Sequence, residues 1–170
     1  MNDHWRYTAK SVTKYNPALR DENGYYKKNE WTGFFQIGQM FDGEIFTIES
    51  YLETEKKYIE AAIYFFEFHN CDKIILKGVE KYSLAEYNHA DLDELSLLYN
   101  RIAEGDIISI KDLATILKLI LRELMWAELF CSTSNDVALH FGYDFYMYFS
   151  SDQDMNPLFE RIKEIGLFVY

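Results

Sequence analysis

Few side chains of this sequence could do chemistry once their spacing is weighed. His69 and Cys71 are suitable zinc ligand types, but a zinc site takes three or four ligands in a defined geometry, and no second pair stands near them. Asp21-x-Asn23-Gly24 opens like a calcium loop. The later carboxylate that would close such a loop is missing, because Trp31 and Thr32 occupy that region, so a hairpin or Asx turn is expected instead. No metal is expected. His140 and Asp144 share the polar face of an unbroken strand over residues 139–149, which invites a base and its orienter. Four residues at about 3.3 Å each separate them by roughly 13 Å, too far for a dyad. There is no G-x-S-x-G elbow, no cysteine in a catalytic signature, and neither GxGxxG nor GxxxxGK[ST]. Paired carboxylates are available anywhere among 28 acids and decide nothing. The chain is therefore expected to have no catalytic residues and no cofactor. The enzyme alternative is a fold that brings Arg20, Asp21, Glu30 and His140 together, and a self-associating structural module is a third class.

Charge is more informative. The net charge is −11, and residues 83–170 hold 15 acids against 6 bases, so that half alone carries −9. Such a field repels nucleic acid and favours a basic partner. Within residues 91–112, Asp91, Asp93, Glu94, Glu104, Asp106 and Asp112 are offset only by Arg101 and Lys111. Rimmed by Tyr87 and Tyr99, this region is the candidate partner-binding patch, with charge setting the encounter rate and rings supplying anchors. The same residues also read as a solvated helix pair, and the charge excess as solubility alone.

The elements that must position these groups follow from periodicity. A chain of 170 residues fits one domain, 1–170, and the 18% of aromatic residues with only 2 prolines suits a ring-rich core. Leu139–Phe149 alternates at period two, with Leu139, Phe141, Tyr143, Phe145, Met147 and Phe149 on one face, and is expected to be one buried strand. Trp5–Tyr15 alternates as an amphipathic strand. Thr47, with Phe46 before it and Tyr51 after it, caps a helix to about Phe68, with Ile48, Leu52, Ile59, Ala62, Ile63 and Phe66 as its buried stripe. A strand is expected over Lys73–Tyr82. Asp91 with Glu94 resembles a capping box for a helix over Leu92–Ala103, and Ser109 with Asp112 opens the most apolar helix, whose stripe reaches Leu124 and widens through Met125 and Trp126. Asn156-Pro157 opens a last helix ended by Gly166, and Leu167–Tyr170 closes the sheet. These elements give an α+β fold, a small and mainly antiparallel sheet packed with three to four helices.

The opening residues Met1–Lys10 are polar, and no apolar run approaches the roughly 18 residues of a membrane span, so a cytoplasmic protein with no membrane partner is expected. Cys71 and Cys131 are too few for a disulfide framework and read as reduced structural thiols, with a bridge between them left open.

Three stretches resemble a known family. The form KYNPxxRDENGxYxxxEWTxxxxIG runs from Lys14 to Gly38, LRELMW spans Leu121–Trp126, and HFGYDFYMY spans His140–Tyr148. Together they resemble a family of small bacterial immunity proteins of polymorphic toxin and contact-dependent inhibition systems. The resemblance implies a non-catalytic cytoplasmic antidote that binds a cognate secreted toxin with a basic surface, an RNase above all, and occludes its active site. No nucleic-acid partner is implied, and the choice between monomer and dimer stays open. The motif residues Tyr15, Asn16, Arg20, Asp21, Glu30, Trp31, Trp126, Tyr143, Asp144 and Tyr146 are expected to hold the fold, while the toxin-facing surface lies elsewhere.

Overall fold

A computed structural model describes residues 9–170. The elements run β1 Lys10–Thr13, β2 Met40–Phe41, β3 Glu44–Ile45, α1 Ile48–Phe68, β4 Lys73–Lys81, α2 Leu92–Arg101, β5 Ile107–Ser109, α3 Leu113–Leu121, β6 Met125–Cys131, β7 Ser134–Phe141, β8 Tyr146–Ser150, α4 Asn156–Glu164 and β9 Phe168–Val169. Seven strands form one antiparallel sheet in the order β5-β4-β6-β7-β8-β1-β9, and β2 pairs only with β3. This is the expected α+β fold. The Trp5–Thr8 half of the first expected strand lies outside the described residues.

The helices cover one face of the sheet. Val12, Leu76, Leu129, Leu139, Met147 and Phe149 from the strands join Tyr58, Phe65, Leu113, Leu117 and Ile162 from the helices in one buried cluster. Thr47 caps α1, its hydroxyl accepting the Ser50 N–H at 3.3 Å, and the Phe46 and Tyr51 rings pack edge to face across the first turn. The buried stripe of α1 differs from expectation. It runs through Tyr51, Glu55, Tyr58, Ala61, Ala62, Phe65 and Phe66, while Leu52 is exposed. The wheel is rotated because tyrosines carry more burial area than the isoleucines, and because Glu55 is matched inside by an arginine.

Two boundaries also differ. The apolar helix stops at Leu121, where the Leu124 N–H reaches Leu119 O at 2.9 Å and the Glu123 N–H reaches Ile120 O at 3.0 Å. That is a Schellman cap, with Glu123 at φ +59° where glycine is usual. Met125 and Trp126 therefore begin a strand, β6, rather than widening a helix stripe. The stretch over residues 139–149 is a hairpin and not one strand. β7 and β8 are joined by a turn in which Asp144 and Phe145 have φ +57° and +60° and the Tyr146 N–H reaches Tyr143 O at 3.2 Å. Leu139 pairs with Phe149 and Phe141 with Met147, so the inward period survives the reversal. Tyr143 leaves the inner face and is 91% exposed.

Cys71 and Cys131 form a disulfide, with their Cα atoms 5.8 Å apart. This corrects the expectation of free thiols. The bridge ties the α1–β4 connection to the end of β6, where Ile74 lies opposite Cys131. Among the described residues no helix is long and apolar enough to cross a membrane.

Candidate functional site

Most residues of the family-like motif have internal duties. Asn16 caps a short turn by accepting the Ala18 N–H at 2.9 Å. Asp21 accepts the N–H groups of Asn23 and Tyr25 at 2.9 Å each, the expected Asx turn, and Gly24 takes φ +85°. Arg20 donates to Gly24 O at 2.8 Å, to the Tyr170 hydroxyl at 2.8 Å and to the Tyr146 hydroxyl. Lys14 bonds Glu30 at 3.0 Å beneath the rings of Tyr15 and Trp31, and Tyr26 donates to the other Glu30 oxygen at 2.8 Å. Burial lowers the Lys14 pKa, against the pull of Glu30. Tyr15 stacks near Tyr26 and Tyr146, and Trp31 lies flat on Phe46. These are structural roles. Tyr143 does not share them, because its side chain stands in solvent.

The acidic patch is divided by the fold. Tyr87 is buried, so it cannot rim a surface. Asp91 does not cap α2. It accepts the Tyr87 hydroxyl at 2.7 Å and pairs with Arg122 at 2.5 Å, because Glu55 takes only the Nε and Nη2 donors of the buried Arg122 and leaves Nη1 to be satisfied. Hydrogen bonds from Tyr87 and Arg122 outweigh burial and hold the Asp91 carboxyl below its usual 3.8. Glu104 accepts the Val79 N–H and Asp106 the Ala103 N–H, each at 2.8 Å, so both fasten the loop before β5. Glu94 lies 3.7 Å from Lys118. The Tyr99 hydroxyl donates to Tyr82 O at 2.5 Å, and Asp112 opens α3 half-buried. Asp93 is fully on the surface. Asp91, Glu104 and Asp106 thus tie loops, while Asp93, Glu94, Glu104 and Asp106 all remain exposed.

A cleft of about 570 Å³ lies elsewhere, between the turn at Gly33–Gln36, the end of α3, the start of β6 and the β7–β8 turn. Phe35, Tyr82, Trp126 and Tyr143 bring aromatic rings to it, and Phe141 and Phe145 add buried ones. Among the described residues its charged lining is Glu123 and Asp144, with no lysine or arginine. Burial raises the Glu123 carboxyl above its usual 4.5, and the Asp144 carboxylate adds to the effect while the Phe34 N–H opposes it. A Cβ at Gly33 would collide with Glu123 Oε1, so glycine is what lets that carboxylate lie against the turn. Three of the non-glycine residues with positive φ, Glu123, Asp144 and Phe145, line this cleft. The motif residues Trp126, Tyr143 and Asp144 belong to it. Glu123 was missed as a site residue, although it sits inside LRELMW.

The four residues of the enzyme alternative do not meet there. Arg20, Asp21 and Glu30 hold the turns described above, and His140 lies flat against Tyr148 with ring centroids 4.9 Å apart; none lines the cleft. The unbroken-strand distance between His140 and Asp144 does not apply to a hairpin; Asp144 lines the cleft and His140 does not. Among the described residues no group of three or more His, Cys, Asp or Glu side chains is arranged to hold a metal. His69 instead bonds Phe65 O at 2.8 Å and the Ser151 hydroxyl at 2.7 Å. Comparisons with protein-family models, curated proteins and solved structures find no match.

Proposed function

We propose that the protein is an immunity protein that binds and neutralises a cognate secreted toxin by covering the toxin's basic active site, an RNase toxin being the class that the motif resemblance favours. The observation that carries this reading is the acidic, ring-lined cleft in a chain of net charge −11: among the described residues that line it, Glu123 and Asp144 are joined by no lysine or arginine. A positively charged surface that evolved to hold a polyanion is the natural complement of such a groove. Binding needs no chemistry from the inhibitor, in keeping with motif side chains that are committed to holding turns.

The test is co-expression with the toxin domain encoded immediately upstream. The expected result is restored growth and a complex that survives size exclusion at low salt and weakens as salt rises. Absence of both rescue and complex would overturn the proposal.

A further inference from the structure

We infer that the cleft is a socket for one arginine side chain projecting from the bound partner. The inference rests on the proposed function only for what carries that side chain.

The two carboxylates and the rings together describe a cation site, and they discriminate among cations. A planar guanidinium can present separate N–H groups to Glu123 and Asp144 while both of its faces lie on aromatic rings. An ammonium can bond a carboxylate over rings, as Lys14 does, but has no plane for rings to sandwich. Tyr143 is 91% and Phe35 51% exposed, so rings stand at the mouth and are free to close over an entering side chain. The chain already packs its own guanidinium groups this way, with Arg161 centred 3.3 Å from the Tyr64 ring and Arg20 bonded between Tyr146 and Tyr170. In the cleft the rings and acids are present, and among the described residues that line it none supplies a guanidinium. Glu123 is exposed at the cleft, so its carboxylate is open to an arriving cation. The volume of about 570 Å³ is ample for the whole side chain, so the contact must come from the exposed rings at the mouth.

The experiment uses the full chain, labelled with ¹⁵N, and three small probes: N-acetyl-arginine amide, N-acetyl-lysine amide and the neutral isostere N-acetyl-citrulline amide. The Trp126 indole N–H, assigned with Trp126→Phe, reports occupancy. Saturable shifts are expected with the arginine probe, binding about threefold or more weaker with lysine, and none with citrulline. Glu123→Gln and Asp144→Asn should each weaken the arginine probe about tenfold. Both variants should fold, since Gln can still accept the Phe34 N–H and Asn tolerates the positive φ at position 144. No saturable shift with the arginine probe, or equal binding of arginine and citrulline, overturns the socket; equal binding of lysine overturns its assignment to arginine. If the double variant binds the toxin domain as tightly as the parent, the socket is not used by the partner and this inference falls while the immunity reading stands. If the probe binds as expected and no toxin complex forms, the socket stands and the immunity reading falls.

Discussion

Arg122 meets Glu55 side-on, Nε to Oε2 at 2.6 Å and Nη2 to Oε1 at 2.7 Å, with the two side chains 3% and 4% exposed. The remaining Nη1 turns to Asp91 at 2.5 Å and to the Tyr87 hydroxyl. One guanidinium thus joins the middle of α1, the loop before α2 and the end of α3. It also fixes the chain immediately before Glu123. Replacing Arg122 by Met strands a buried carboxylate and should cost about 3–5 kcal/mol, read as a lowered urea midpoint. Adding Glu55→Leu should recover much of the loss, because the uncompensated charge is then gone. If Arg122→Met alone is neutral, the pair is not buried as described.

Asp91 and Glu123 should respond to pH in opposite directions. The folded pKa of Asp91 lies below its usual 3.8, so its stabilisation is complete above that value and is lost as pH falls through the lower folded pKa. Against Asp91→Asn, the parent should be more stable at neutral pH, with the gap closing below about pH 4. Glu123 has a folded pKa above 4.5, so its contribution is complete below that value and is lost as pH rises through the folded pKa. Glu123→Gln should therefore match the parent in acid and slightly exceed it at neutral pH, the effect being small because the side chain reaches solvent. Thermal midpoints measured across pH 2–7 check both signs.

The Cys71–Cys131 bridge closes a loop with a sequence separation of 60. By the loop-entropy argument it should contribute up to about 4 kcal/mol, so Cys71→Ser with Cys131→Ser should lower the unfolding free energy by an amount approaching that. Protein unfolded without reductant should titrate with no free thiol. Both cysteines are buried, at 2% and 1% exposure, so reduction of the folded protein should be slow and should quicken with denaturant. Free thiols in the unreduced protein would remove the bridge from the account.

Where local chemistry marks an element, the sequence is easy to read. Thr47 with its staple, Asn156-Pro157 with Gly166, and the Asp21 turn all lie where their residue types place them. The elements that escape reading lack such marks. The end of α3 carries Glu123 at a position that usually announces itself with glycine, so the apolar run continues into β6 without a visible stop. The β7–β8 turn uses Asp144-Phe145 where Asn-Gly is the usual sign, and a hairpin preserves period two across the reversal. Both hidden turns border the cleft, so the fold class is legible while the site is not. Two members of the acidic patch are hard to read for a different reason. Tyr87 and Asp91 look like surface residues until Arg122, distant in sequence, draws them in as partners, Tyr87 buried and Asp91 half-buried.

Phe145 tests whether burial is what maintains the unusual turn. It has φ +60°, a conformation costly for a bulky residue, yet its ring packs edge to face against Trp31, Tyr51 and Tyr58 at centroid distances of 5.0, 6.1 and 5.3 Å. Its carbonyl accepts the Tyr58 hydroxyl at 2.5 Å and the Thr13 hydroxyl at 3.2 Å, which holds the peptide in place. Phe145→Ala should cost about 3–5 kcal/mol through the cavity it leaves. Phe145→Gly removes one atom more but relieves the left-handed backbone, worth about 1–2 kcal/mol. The glycine variant should therefore be as stable as the alanine variant or more so, the reverse of the order expected at an ordinary core position. If glycine proves clearly worse, the left-handed turn is not present in the folded state, and a near-neutral alanine variant would show that the ring is not part of the core.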